Sequence, residues 1–144
     1  MSETPIAIVL GHGRVAEGLV SAVERITGIT GRFVALSNEG LGTAEIEELL
    51  RARLESTGAR VVFTDLPAGS CNFAACRLLR GRPDIAVVTG VNLPALLHFA
   101  TSGQAVGGAG ERGESGSEPV EFRVAEEAAE RGASSLRMLR GKPA

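Results

Sequence analysis

The sequence predicts an α/β fold with a parallel sheet in the strand order 2-1-3-4 and helices on both faces. Short continuous aliphatic runs, typical of strands buried on both faces, alternate four times with stretches whose apolar residues recur at helical spacing. This alternation is typical of right-handed crossovers between parallel strands. A chain of 144 residues can bury a sizeable core, so we expect residues 1–144 to be a single domain.

The first half of the chain contains two strand–helix units. Each aliphatic run is followed by a helical pattern that ends at a glycine, which is a common helix stop. Thr43, with Ile46 and Glu47, makes only an approximate capping arrangement for the second helix. The predicted elements are a strand at 6–10, a helix at 14–26, a strand at 32–36 and a helix from Thr43 to Gly58.

The second half begins with two further units of the same kind. Strands are predicted at 60–65 and 85–89, and helices at 70–79 and 93–101. Pro94 lies in the first turn of the last of these helices, where its missing N–H costs nothing. The alternation therefore continues over about the first hundred residues, as a parallel sheet requires.

The remaining residues depart from the alternation. Residues 103–117 contain six glycines, which predicts a mobile loop because glycine and exposed polar residues do not offset the entropy of ordering. Residues 121–131 have a helical pattern again. Residues 134–139 fit either a last helical turn or a short strand that adds to a sheet edge.

Composition narrows the class of protein. The net charge of −2 without a basic stripe makes nucleic acid and anionic membranes poor candidate partners. The amino terminus has no secretory pattern, and the apolar stretches are far shorter than the ~20 residues that span a bilayer, so we expect a cytoplasmic protein. Cys71 and Cys76 lack the spacing of a zinc site or redox pair and are expected to be small apolar side chains.

Polar residues follow the predicted strands at their carboxyl ends, where sites form in open α/β sheets. The first strand is followed by Gly11, His12 and Gly13, and the third ends at Asp65. In the order 2-1-3-4 these two strands are neighbours. His12 and Asp65 are therefore expected to face the same crevice.

His12 is the candidate reactive residue. The flanking glycines allow a tight turn and leave the imidazole exposed, which favours a functional histidine over an ordinary surface one. Asp65 can simply cap the turn that follows it. Beside His12, however, a carboxylate accepts a hydrogen bond from one ring nitrogen and leaves the other free as a nucleophile. His98, in the middle of a predicted helix, is expected to be structural or merely exposed.

Gly69 and Ser70 open a predicted helix. The free N–H groups of its first turn, with the Ser70 hydroxyl, form an anion site that suits phosphate. An ordinary serine N-cap explains the two residues equally well when the segment is viewed alone.

Nucleotide binding is the competing interpretation of the first turn. Residues 11–16 (GHGRVA) fit G-x-G-x-x-A between a strand and a helix. The acidic residue expected about 20 residues later is not clearly present, and an imidazole between the glycines would crowd a pyrophosphate. The sequence contains no G-x-x-x-x-G-K-[ST], which excludes a P-loop.

Three segments together carry a family resemblance. They are 6–19 (IAIVLGHGRVAEGL), 61–75 (VVFTDLPAGSCNFAA) and 87–97 (VVTGVNLPALL). Over roughly residues 5–102 the chain resembles the mannose-type enzyme IIA domain of the bacterial phosphoenolpyruvate-dependent sugar phosphotransferase system.

The resemblance implies a phosphocarrier, and hence a phosphotransferase with a phosphohistidine intermediate. His12 would be phosphorylated by phospho-HPr, with Asp65 as its partner and with Gly69 and Ser70 at the phosphoryl group. The acceptor would be a IIB subunit on a separate protein, and peripheral association with a membrane IIC/IID complex would follow. The resemblance also implies a homodimer that exchanges a C-terminal strand, here as an added antiparallel strand. No metal or cofactor is expected.

Two departures from the family pattern leave alternatives open. The usual Gly-Gly-Ser/Thr-Pro is replaced by residues 68–71 (AGSC), and the glycine-rich segment 103–117 is unusual. One alternative is a regulatory phosphohistidine module, read by a target protein and not coupled to sugar transport. The other is a subunit serving dihydroxyacetone kinase, against which residues 65–72 (DLPAGSCN) argue.

Overall fold

Strands and helices alternate through most of the chain. The computed structural model describes residues 6–106 and 118–144, without the side chains of 103–106. No helix in these two ranges is long and apolar enough to cross a membrane. The elements are β1 (Ala7–Gly11), α1 (Val15–Thr27), β2 (Phe33–Ser37), α2 (Thr43–Thr57), β3 (Val61–Thr64), α3 (Ser70–Leu78), β4 (Ala86–Val88), α4 (Leu93–Val106) and α5 (Val120–Ser135).

The four strands form one parallel sheet in the order β2-β1-β3-β4, which confirms the predicted order. In this register Leu10 lies opposite both Leu36 and Thr64. The carboxyl ends of β1 and β3 are therefore level with each other. The residues that follow these two strands meet at one edge of the sheet.

Helices cover both faces of the sheet, and side chains of β1 alternate between them. Ala7 and Val9 pack with α1, α4 and α5, whereas Ile8 and Leu10 pack with α2 and α3. On the first face three phenylalanine rings pack at centroid distances of 5.5–6.4 Å: Phe33, Phe63 and Phe99. The two buried layers hold the helices against the sheet and so fix the positions of the helix ends at its carboxyl edge.

The C-terminal elements differ from the prediction in extent. α4 continues to Val106, so the first four residues of the predicted loop are helical, and residues 107–117 lie outside the described ranges. Gln and Ala in this stretch are compatible with a helix, and one glycine costs only about 1 kcal/mol there. α5 extends to Ser135, and residues 136–139 then follow outside any helix or strand, without a strand partner in the described part of the protein.

α2 begins at Thr43, as predicted, but its cap differs. The prediction pairs Thr43 with Ile46 and Glu47, but Gly42 occupies the N-cap position and Thr43 is the first helical residue. The Gly42 N–H donates to Oε1 of Glu45 at 2.8 Å. A side chain three residues into the helix therefore satisfies the cap, as in the reciprocal half of a capping box.

Candidate functional site

His12 lies in the turn between β1 and α1. Gly13 has φ of +57°, a left-handed conformation that favours glycine, and the Val15 N–H closes the turn on the His12 carbonyl at 3.2 Å. Asn38, just after β2, accepts a hydrogen bond from the Gly13 N–H at 3.2 Å and donates its own N–H to the Gly11 carbonyl at 3.2 Å. The turn is thus braced from the neighbouring strand, while the His12 side chain is 41% exposed.

Asp65 directly follows β3 and contacts His12 twice. Its Oδ2 accepts a hydrogen bond from the His12 backbone N–H at 2.9 Å and lies 2.9 Å from Nδ1 of the ring. Burial raises the pKa of Asp65, but the hydrogen bonds from the backbone and ring of His12 outweigh it, and the pKa lies below its ordinary value. Asp65 is therefore ionised at neutral pH and can only accept. Nδ1 must then carry the ring proton, which leaves the lone pair of the neutral ring on Nε2.

Nε2 of His12 faces the amino end of α3. A Cβ placed on Gly69 would lie 3.5 Å from Cε1 and 3.6 Å from Nε2 of the ring. Gly69 has φ of +97° and occupies the N-cap position, so the alternative of a Ser70 N-cap is wrong. Ser70 is the first helical residue, and its hydroxyl is hydrogen-bonded to the Cys71 thiol. The free N–H groups of this turn lie next to the nucleophilic edge of the ring.

Asn72 supports the loop between Asp65 and α3. Its Nδ2 donates to the Pro67 carbonyl at 3.0 Å, and its Oδ1 accepts a hydrogen bond from the Thr64 hydroxyl at 3.3 Å. The same hydroxyl lies 3.3 Å from the Leu66 carbonyl. One side chain of α3 therefore ties the helix to both ends of the loop that carries Asp65.

Cys71 completes the floor of the site. It is fully buried, and its Sγ lies 3.9 Å from Nδ1 of His12. Burial, and after it the charge of the Asp65 carboxylate, raise the pKa of this thiol, a hydrogen bond with Ser70 lowers it, and the pKa is about 11 as a result. Cys71 is thus a neutral thiol at the site, and not only an apolar filler as predicted. Cys76 is exposed, and both cysteines are free thiols.

The predicted residues His12, Asp65 and Gly69 lie together, with Ser70 at the adjacent helix start. Three residues that shape the site were not predicted from the sequence: Asn38, Cys71 and Asn72. A signal existed for Asn38, because it is a polar residue at a strand end. For the other two there was none, since their position depends on where α3 begins.

His98 is remote from this site and does have partners. Its Nε2 lies 3.3 Å from Oε1 of Glu127 on α5 and 3.2 Å from the Ser102 hydroxyl. Its side chain is only 13% exposed. His98 therefore joins α4 to α5, which agrees with a structural role.

The comparisons place this architecture among known proteins. The family described as the PTS system fructose IIA component matches residues 7–110. The chain is similar to the mannose/sorbose-specific IIA subunit of the phosphotransferase system from Enterococcus faecalis, with 23% identity, a TM-score of 0.72 and coverage of 99% of both chains. It is also similar to phosphotransferase system component EIIA from Streptococcus agalactiae, with 20% identity, a TM-score of 0.74 and coverage of 92% of this chain and 95% of that one.

A third solved structure is the PTS IIA protein associated with the fucose utilization operon from Streptococcus pneumoniae, with 23% identity, a TM-score of 0.72 and coverage of 96% of both chains. No curated protein matches the chain in sequence. The structural similarities establish the fold, and the family match spans most of the sequence. The chain therefore belongs to the fructose/mannose-type IIA family, whose members serve the sugar phosphotransferase system as phosphocarrier components.

Proposed function

We propose that the chain accepts a phosphoryl group from phospho-HPr on Nε2 of His12 and passes it to a separate IIB subunit. The observation that carries this proposal is the 2.9 Å contact between the ionised Asp65 carboxylate and Nδ1. That contact holds the proton on Nδ1 and keeps the lone pair of Nε2 available for attack. The protein is then a phosphotransferase with a phosphohistidine intermediate.

The transfer is an in-line displacement at phosphorus. The bond from Nε2 of His12 to phosphorus forms as the bond from phosphorus to the donor histidine nitrogen breaks. Free N–H groups at the start of α3, with the Ser70 hydroxyl, meet the charge on the transferred oxygens. Asp65 stabilises the positive charge that appears on the ring when Nε2 becomes phosphorylated.

Gly69 supports the proposed position of the phosphoryl group. A Cβ there would stand 3.6 Å from Nε2, in the space next to the attacking atom. Gly69 also has a positive φ at the N-cap position, a backbone conformation that a larger residue would adopt only with strain. A glycine thus leaves room for a tetrahedral anion between the ring and the helix.

Exposed apolar side chains border the site and suit protein partners. Val15 is 44% exposed, Leu66 is 51% exposed and Phe73 is 58% exposed, and each lies on a segment that flanks His12 or Asp65. We assign this surface to docking of the donor HPr and the acceptor IIB subunit, which must each present a phosphorylated or accepting side chain to His12. The partners imply a cytoplasmic protein with peripheral access to a membrane IIC/IID complex.

We also propose that residues 1–144 form one IIA domain and that two copies form a homodimer. The supporting feature is the C-terminal tail, defined here as residues 136–144. Leu136, Met138 and Leu139 are 78–86% exposed and lie outside any helix or strand. A second copy can cover these side chains by taking the tail as an added antiparallel strand.

The proposal is tested by phosphorylating the purified chain with phosphoenolpyruvate, enzyme I and HPr and measuring intact mass. The wild type should gain one phosphoryl group, and His12→Ala should gain none. His98→Gln is the matched control, because it removes the other histidine of the chain and should leave the adduct intact. Absence of the adduct in the wild type would remove the proposed function.

A further inference from the structure

Three side chains with metal-binding atoms, one of them His12, converge next to Nδ1 of the His12 ring. They come from three segments: His12 follows β1, Asp65 follows β3, and Cys71 lies in the first turn of α3. Nδ1, a carboxylate oxygen and Sγ all lie within 4.8 Å of one another. Within residues 6–106 and 118–144 this is the one such convergence of three or more histidine, cysteine or acidic side chains. No metal was expected here from the sequence, because the motifs offer no metal cluster.

Two of the three separations between these atoms are close to those of a tetrahedral cation site, and the third, between the carboxylate oxygen and Sγ, is within 4.8 Å. Zinc–ligand distances of about 2.0–2.3 Å place neighbouring ligand atoms roughly 3.3–3.6 Å apart. Nδ1 is 2.9 Å from Oδ2 of Asp65 and 3.9 Å from Sγ of Cys71. Side-chain shifts of a few tenths of an ångström bring these two separations into the required range.

The charges and donor types also suit zinc. A thiolate, an imidazole and a carboxylate form a mixed set that zinc accepts, with a fourth position left for water. Two negative ligands neutralise the dication, which removes the cost of an uncompensated buried charge. Oδ1 of Asp65 is buried and has no hydrogen-bond partner in the described part of the chain, so the carboxylate has unused acceptor capacity. The His12 side chain is 41% exposed, so an ion from solvent can reach the ring.

We propose that His12, Asp65 and Cys71 bind one zinc ion, and that zinc and the phosphoryl group exclude each other on this protein. The second half of the statement rests on the proposed function; the first half does not. Zinc takes the lone pair of Nδ1, so the proton of the neutral ring must move to Nε2, by loss to solvent at one nitrogen and gain at the other. Cys71 releases its thiol proton to solvent when the sulfur–metal bond forms.

Exclusion follows from the ring chemistry in both directions. With a proton on Nε2 the ring has no lone pair there to attack phosphorus. Conversely, a phosphoryl group on Nε2 leaves Nδ1 protonated and bonded to Asp65. That arrangement denies the cation two of its three ligands.

Metal binding is tested with Co²⁺ as a spectroscopic probe of the unphosphorylated full chain. The wild type should develop a cobalt–thiolate charge-transfer band that saturates at one ion per chain and disappears on addition of Zn²⁺. Cys71→Ser should abolish the band, and Cys76→Ser, which changes the other cysteine of the chain, should retain it. No band in the wild type, or a band that Cys76→Ser removes instead, overturns the metal site.

Exclusion is tested by comparing phosphorylation rates with and without saturating Zn²⁺. The wild-type rate should fall at least tenfold, whereas the rate of Cys71→Ser should change by less than twofold, which controls for effects of zinc on enzyme I and HPr. Equal inhibition of both proteins, or none, overturns the exclusion. If the chain binds cobalt but is not phosphorylated even without zinc, the proposed function fails and the metal site stands.

Discussion

At the residue scale, the proposed function assigns the role of nucleophile to His12 and the role of positioning group to Asp65. Asp65→Asn should leave the fold intact and slow phosphoryl transfer by a factor on the order of 10²–10⁴. The amide can still contact the ring, but it cannot stabilise a positive charge, and it can also donate to Nδ1 and select the wrong tautomer. Rapid-quench transfer from phosphorylated HPr measures this rate, and a wild-type rate would reduce Asp65 to a turn residue.

Ser70 is expected to contribute less to the rate of phosphoryl transfer than Asp65. Ser70→Ala should slow transfer only about tenfold, because the backbone N–H groups of α3 remain as phosphate donors. His12→Ala should show no transfer at all. A larger loss for Ser70→Ala than for Asp65→Asn would contradict the assignment of charge stabilisation to Asp65.

Asp65 also links stability to pH. Because its pKa in the folded protein lies below the ordinary value of 3.8, folding favours the ionised carboxylate. Its contribution is therefore complete above the ordinary pKa and is lost as pH falls through the lower pKa of the folded state. The free energy of unfolding of the wild type minus that of Asp65→Asn should shrink between pH 5 and pH 2 in urea titrations. A difference that grows on acidification would show that the pKa is raised instead.

The pairing of His12 with Asp65 could be predicted from sequence because it follows from topology alone. Strand order and polar strand ends suffice to bring two residues 53 positions apart into contact. The contact of Cys71 with His12 could not be predicted in this way. It depends on Gly69 turning the chain with a positive φ, so that α3 begins at Ser70 and its first turn points a buried side chain under the ring.

At the scale of elements, the contact between α4 and α5 depends on one glycine. A Cβ on Gly132 would lie 2.6 Å from Oδ1 of Asn92 and 3.0 Å from Cβ of Ala95. Asn92 accepts a hydrogen bond from the Ala95 N–H at 3.1 Å and donates to the Gly132 carbonyl at 2.9 Å. The Asn92 side chain thus caps α4 and holds α5 against it.

Gly132→Ala should therefore destabilise the protein by about 1–3 kcal/mol, because the methyl group displaces the Asn92 side chain. The matched control is Gly18→Ala in α1, where a Cβ meets nothing within 4 Å. That change should stabilise by about 0.5–1 kcal/mol through helix propensity. Chemical denaturation measures both, and stabilisation of the Gly132→Ala variant would show that the two helices are not held as described.

The existence of the elements was easier to predict than their ends. Apolar periodicity identifies the core face of each helix, but it does not mark the residue at which the helix begins or ends. α4 continues into a glycine-containing stretch that was predicted as loop, and α2 begins with a side-chain contact from Glu45 that its periodicity does not indicate. Local hydrogen bonds and propensities, not the core, decide these boundaries.

At the scale of the whole molecule, the strand order was predictable because 2-1-3-4 is a common order for open parallel sheets whose strands alternate with helices. The fate of the C-terminal tail was not, because a single chain offers its apolar side chains no cover. Leu136, Met138 and Leu139 remain exposed outside any helix or strand. In the proposed dimer a second copy would cover them, and a sequence pattern of six residues does not specify that partner surface.

The dimer proposal makes a direct prediction about this tail. Deletion of residues 136–144 should convert a dimer into a monomer in light scattering at micromolar concentration, because it removes the three apolar side chains. Deletion of residues 142–144 alone is the control and should leave the dimer intact. A full-length monomer, or a dimer that survives the longer deletion, would contradict strand addition by the tail.

The central claim is that Asp65 keeps the proton on Nδ1 of His12 and thereby directs phosphoryl transfer to Nε2. The most direct measurement is ¹⁵N NMR of the imidazole ring in His98→Gln, in which His12 is the single histidine of the chain. Before phosphorylation the spectrum should show a proton on Nδ1 and an unprotonated Nε2, and afterwards coupling of phosphorus to Nε2. A resting ring with its proton on Nε2, or phosphorus coupled to Nδ1, would contradict the account.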